Sequence, residues 1–213
     1  MRQSTDGRTI GVMPGQEEPD DLSELESAQW NAASSTVRAL AERAMNGTLD
    51  DDDVSATLAQ LRQIPLDHER FLNAIHPPRD AGEYANALIG IMKRIPDGWG
   101  RWIECDRGWF PLVTDLDSKL AGLCPEYTLH QVKEKYGTLR YYADPCGRHR
   151  HIDDDFEELI RQAEAQSAKI CEDCGADGNH CRSGRWYRTL CSACIERHLK
   201  EGRGRYEPVA PRP

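Results

Sequence analysis

The sequence predicts an α+β fold: a helical N-terminal region, a small antiparallel sheet with helices, and a C-terminal finger built on paired cysteines. Three observations carry this reading. Apolar residues recur at helical spacing up to about residue 96, and short aromatic-rich runs replace that spacing after Asp97-Gly98. Near the C-terminus two Cys-x-x-Cys pairs stand with 16 residues between them. The 213 residues thus divide into a tail over 1–22, a helical region over 23–96, an α+β unit over 97–167, a finger over 168–202 and a flexible tail over 203–213.

Residues 1–21 mix Gly, Pro, Gln and acidic residues without periodicity, the composition of a disordered segment. From Ser23, Trp30, Ala33, Val37, Leu40 and Ala44 share one helical face, and Asn46-Gly47 supplies a stop. Asp50 to Asp53 then place carboxylates where a helix N-terminus favours them, ahead of Val54, Leu58, Leu61 and Ile64, with Pro65 closing the segment. A short helical turn carries Phe71, Leu72 and Ile75 before Pro77-Pro78. A further helix carries Tyr84, Ala87, Leu88, Ile91 and Ile95 and ends at Pro96.

Beyond Gly98, Trp102 to Cys105 and Trp109 to Val113 flank the turn-forming Asp106-Arg107-Gly108, which predicts a hairpin whose second arm Pro111 confines to an edge or bulge. Thr114 to Asp117 reads as a capping box for a helix with Leu116, Leu120 and Leu123. Tyr127 to Lys135 and Thr138 to Ala143 form a second hairpin around Tyr136-Gly137, its Lys133, Glu134, Lys135 and Arg140 read as a solvated outer face. Asp153 to Asp155 open an amphipathic helix with Phe156, Leu159, Ile160 and Ala163, which delivers the chain to Cys171.

Cys171, Cys174, Cys191 and Cys194 are the predicted ligands of one structural Zn. Two cysteines three apart let one turn of backbone aim both thiolates at one ion, and a second pair completes a tetrahedron with no open position for water. Gly175 offers a permissive turn after the first pair, Arg182 to Leu190 reads as a hairpin around Ser183-Gly184, and Ser192 to Lys200 reads as a helix. Knuckle, hairpin and helix in that order resemble the treble-clef class of zinc fingers. His180, Cys181 and His198 are alternative ligands that four thiolates make unnecessary, and Cys146, His149 and His151 read as a polar loop rather than a second metal site. Cys105 and Cys124 read as small buried hydrophobes.

Charge divides unevenly: the local nets are -8 over residues 1–60, -4 over 61–167 and +3 over 168–213, which sum to the chain's -9. A net acidic chain is not built to coat a phosphate backbone nonspecifically, and only the finger has the sign for it. The longest apolar stretch, Ala87 to Met92, is far below the roughly 18 residues that span a bilayer. Met1 to Gly15 lacks the apolar core of a signal peptide, so a cytoplasmic setting is expected, where eight cysteines argue for thiolate chemistry over a disulfide framework.

The run Gln131-Val-Lys-Glu-Lys-Tyr-Gly-Thr-Leu-Arg-Tyr-Tyr142, with Gly98-Trp99 and Gly108-Trp109-Phe110 before it and the Cys-x-x-Cys pair and Trp186-Tyr187-Arg-Thr-Leu-Cys191 after it, resembles a group of small uncharacterised zinc-binding proteins carried by phages, prophages and other mobile elements. The likeness covers about residues 97 to 200. It implies a small α+β unit joined to a Zn finger in a bacterial or phage setting, and it implies no activity.

No nucleophile elbow, phosphate-cradling glycine loop or His-Glu-x-x-His helix occurs, so the expected function is that of an interaction or regulatory protein that binds a protein partner. The alternative is nucleic-acid binding by Arg182, Arg185, Trp186, Tyr187, Arg188, Arg197 and Lys200 on the finger, with cations for phosphates and rings for bases. A third reading, a metal-dependent nuclease, rests on His149, His151 and His180 without a partner residue at the spacing a ββα site needs.

Overall fold

Both N-terminal helices open on reciprocal caps. In α1 (Glu24–Met45) the Ser23 hydroxyl accepts the Glu26 N–H while Glu26 accepts the Ser23 N–H, and in α2 (Asp51–Leu61) Asp50 and Asp53 exchange the same pair of bonds. This computed structural model describes residues 22–65, 67–147 and 150–209. The predicted tail over 1–21, His149 and residues 210–213 lie outside the described residues.

The α1–α2 pair forms an arm with little core of its own. Ala33 is the one buried residue of α1, and α2 has none. Trp30 anchors the arm: its ring lies 4.1 Å from Phe71 on α3 (His68–Asn73), 5.1 Å from His76 on β1 (Ile75–His76) and 6.2 Å from Trp102 on β2 (Arg101–Glu104). An Arg70–Glu26 ion pair closes the same joint.

The main core does not respect the change of texture at residue 97. Leu88, Ile91 and Met92 of α4 (Ala85–Met92), with Ile95, are almost wholly buried in one cluster with Trp109, Phe110, Leu129, Val132, Leu139 and Phe156. The break near Asp97 is therefore a change of secondary structure and not a gap between two cores.

Trp109 to Val113 form no second hairpin arm. Arg107 to Trp109 make a 3-10 turn that runs into α5 (Phe110–Leu123), with Pro111 in its first turn, where a missing N–H costs nothing. Phe110, Leu112, Val113, Leu116 and Leu120 then share the buried face. Thr114 sits inside this helix and donates to the Phe110 carbonyl at 2.9 Å, so the expected capping box at Thr114 is absent.

The hairpin of β3 (Thr128–Lys135) and β4 (Thr138–Asp144) pairs as expected, Lys135 opposite Thr138. It is extended by β2 alongside β3 and β1 alongside β2, both parallel, giving the order β1-β2-β3-β4 and a mixed sheet in place of a purely antiparallel one. Helix α6 (Arg150–Ser167) covers the β4 edge: Leu139 N–H donates to Ser167 Oγ at 2.8 Å and Tyr141 N–H to Glu164 at 3.2 Å. Those side chains satisfy edge donors that would otherwise invite another strand. Cys124 is buried, as expected of a small hydrophobe, but it forms a disulfide with Cys146, Cα atoms 5.7 Å apart, which ties the end of α5 to the loop after β4.

The finger follows the predicted order: β5 (Asn179–Ser183), β6 (Trp186–Leu190) and α7 (Ser192–Lys200). Residues 203–209, expected as flexible tail, return to the sheet. Tyr206 is buried, and β7 (Glu207–Pro208) pairs with β5 to give the antiparallel order β6-β5-β7. No helix among the described residues is long and apolar enough to cross a membrane.

Candidate metal centre

The first cysteine pair sits in a tight knuckle. Cys171 N–H donates to the Ala176 carbonyl at 2.7 Å and Gly175 N–H to the Cys171 carbonyl at 2.8 Å, while Gly175 itself takes φ +78°. The second pair opens α7, with Cys191 in extended backbone as the N-cap and Cys194 in the first turn. The four sulfurs of Cys171, Cys174, Cys191 and Cys194 lie within 4.8 Å of one another, and Cys174 Sγ is 3.6 Å from Cys191 Sγ. A tetrahedron with Zn–S bonds of about 2.3 Å has sulfurs about 3.8 Å apart, so this cluster is of the size one ion requires.

The surroundings do not act alike on Cys171, Cys191 and Cys194. Backbone N–H groups of Asp173, Cys174 and Cys191 point at the Cys171 sulfur, although burial still raises its thiol above the usual range. At Cys191 burial also raises, but the Cys194 N–H and the neighbouring thiols prevail and bring it down to about 7. Cys194 moves the other way, raised by burial and by thiols that cannot all ionise together without a cation. Arg197 Nη2 reaches Cys194 Sγ at 3.3 Å.

The alternative ligands stand elsewhere. His198 Nε2 donates to Asp173 Oδ2 at 2.7 Å, Cys181 Sγ to the Asn179 carbonyl, and His180 stacks on Tyr187 with ring centres 5.3 Å apart. Among the described residues the four cysteines are the sole metal-sized group, which leaves Cys146 in its disulfide and His151 exposed on α6.

The proposed nucleic-acid contacts of the finger separate into two groups. Arg182, Arg185, Trp186 and Lys200 are exposed, and Tyr187 is half-buried. Arg188 is committed inward and binds Asp106, Glu172 and Asp173, whereas Arg197 is exposed and pairs with Asp173. Arg188 is thus occupied as an internal counterion, while Arg197 pairs with Asp173 at the surface. Burial pushes Glu172 up to about 8 against the pull of Arg188 and the Thr189 N–H. At Asp173 burial raises, but His198, Arg188 and Arg197 outweigh it and hold the carboxyl at about 2. Asp106 lies 82 residues from Arg188 along the chain, so no spacing pattern announces the pair.

Arg188→Ala leaves the buried Glu172 carboxyl without its neighbouring cation and takes the shared counterion from Asp106 and Asp173. We expect a loss of about 2 kcal/mol in urea unfolding, with Glu172→Gln recovering part of it in the double variant because the Gln oxygen still accepts from Thr189. An unfolding midpoint equal to the parent's contradicts the role given to Arg188.

No family model matches this chain, and searches of curated proteins and of solved structures also return no match.

Proposed function

We propose that the protein is a non-catalytic, zinc-stabilised interaction module of phage or mobile-element type that holds a protein partner with its helical arm. The observation that carries the reading is the arm's unburied apolar surface: Leu25 and Val37 of α1, Leu58 of α2 and Leu49 between them are between 38% and 68% exposed, and the helix pair buries Ala33 alone. A helix pair that buries so little gains little stability on its own, and apolar side chains left in water on it favour a docking role. The acidic run Asp50 to Asp53 and Glu42 beside it suit a partner with basic groups around an apolar contact.

Zn is the ion that four clustered thiolates in a knuckle and a helix N-terminus suit best, and the arrangement resembles a treble clef. Four sulfur ligands leave no position for a reacting water, which supports a structural role over the nuclease reading. The finger's nucleic-acid reading loses weight with Arg188 and Arg197 held by carboxylates.

The test is affinity capture with the tagged full chain, its Val37→Glu/Leu58→Glu variant and a form without residues 22–65, each with and without nuclease. One stoichiometric protein should survive nuclease and be lost with both arm changes, while metal content stays constant. Capture that persists without the arm, or that nuclease abolishes, removes this reading.

A further inference from the structure

We propose that the solvent face of β3 and β4, continued by a row of aromatic rings where the hairpin meets the finger, binds single-stranded nucleic acid. This surface is separate from the arm. In the β3–β4 register Gln131 faces Tyr142, Lys133 faces Arg140 and Lys135 faces Thr138, and these pairs share the face opposite to core residues Val132, Leu139 and Tyr141. Lys133 Nζ stands 5.4 Å from the centre of the Tyr142 ring and Lys135 Nζ 5.7 Å from that of Tyr136. Tyr136 meets Tyr187 of the finger at 6.3 Å, and Tyr187 stacks on His180. Two lysines, each beside a tyrosine ring, thus lead along the sheet face to a run of three rings, Tyr136, Tyr187 and His180, where the hairpin meets the finger.

Two features set this strip apart from an ordinary solvated hairpin face. First, Lys133 and Arg140 are like charges directly opposite each other, an arrangement that destabilises a sheet unless an anion joins it. Among the described residues no ion pair holds Lys133, Lys135 or Arg182, although Glu104, which accepts from Gln131, is the β2 register partner of Lys133 and Glu207 that of Arg182. Arg140 reaches Glu164 only at 3.9 Å. Second, Tyr136 takes φ +56°, whereas every other positive-φ residue described is Gly. The Tyr136-Gly137 turn has the left-handed geometry that Asn-Gly adopts easily, and a bulky residue in that position costs about 1 kcal/mol. The strained residue is also 65% exposed, so its ring is held out to solvent rather than kept for packing.

Lysines beside exposed Tyr136 and Tyr142, with further rings next to them, suit a strand that presents phosphates and unstacked bases together. A duplex hides the faces of its bases from such rings, and an acidic peptide has no use for them. The occupant that uses both halves of the strip is single-stranded nucleic acid.

The experiment is fluorescence anisotropy of a labelled single-stranded oligonucleotide of about 12 nucleotides against the full chain, at several salt concentrations. Tyr136→Asn removes the ring while suiting the turn, so it should weaken binding about tenfold and leave the melting temperature equal or higher. Lys133→Ala with Lys135→Ala should reduce the slope of log affinity against log salt by about 1.4, two phosphate contacts on a single strand. The proposal is overturned by no binding at low salt, by Tyr136→Asn binding as the parent does, or by a duplex binding equally well. Displacement by polyglutamate as effective as by unlabelled oligonucleotide also overturns it and assigns the face to acidic protein.

Discussion

Stripping the metal should unfold the finger and lower the stability of the sheet it leans on. The finger's own buried cluster is Cys171, Cys181, Leu190, Cys194 and Tyr206, so two of its five members are themselves candidate ligands. A unit of this size cannot stand on so small an apolar core, and a structural Zn contributes about 10–16 kcal/mol in comparable peptides, more than the net stability of most small domains. The loss spreads through named bonds. Trp109 Nε1 donates to the Ile170 carbonyl at 2.8 Å, Gly108 N–H to the Glu172 carbonyl at 2.7 Å, and Thr189 Oγ1 to the Gly137 carbonyl at 2.6 Å. Elemental analysis should find one Zn per chain, and chelation or Cys171→Ser should move the fluorescence of fully buried Trp109 to the red. A chain purified without metal, or a Cys171→Ser variant with unchanged metal content and melting, would falsify the assignment.

What the sequence makes legible here is what short-range spacing controls. The cysteine pairs, the hairpin around Tyr136-Gly137 and the helices α1, α2, α4 and α7 are set by residues within a few positions of each other, and the structure places them where that spacing indicates. The Trp109 to Val113 run misleads because apolar residues with a proline fit an edge strand and a helix start equally well. Only packing decides, since as helix the segment puts Phe110, Val113 and Leu116 on one buried face. The two-residue strands β1 and β7 are too short to show any alternation, and they exist because β2 and β5 offer open edges. Arg188 looked like a surface cation because its counterions Asp106 and Glu172 are brought to it by tertiary contact.

The same contact shapes the proposed binding surfaces. By holding Arg188 inward, the acidic set of Asp106, Glu172 and Asp173 fixes the finger against the hairpin tip, and that junction is what lines Tyr136 up with Tyr187 and His180. The arm lies away from it, attached through Trp30 to the opposite edge of the sheet at β1 and β2. The proposed partner on the arm and the proposed strand on the sheet face would therefore not compete, and each should be lost separately when its own surface is changed.

Gly108→Ala should be among the most damaging single substitutions outside the ligands. Gly108 is buried where the knuckle docks, and a Cβ added there would stand 2.1 Å from the Cys171 carbonyl oxygen, 2.4 Å from that of Glu172 and 2.6 Å from the Gly175 nitrogen. All three are backbone atoms of the knuckle, so no side chain can swing aside. Relief requires the finger to move off the sheet, which breaks the Gly108 to Glu172 bond and draws Ile170 away from the Trp109 indole. Overpacking of 1–3 kcal/mol and two lost hydrogen bonds of about 1 kcal/mol each give an expected loss of about 4 kcal/mol. Gly90→Ala is the matched control, because that glycine lies within α4 with no atom inside 4 Å of the added Cβ, and it should gain up to about 1 kcal/mol. The ligand cluster is assembled within the finger, so the Gly108 variant should keep its metal while urea unfolding separates into two transitions. A single transition at the parent's midpoint would show that the finger and the sheet do not share the contact at Gly108.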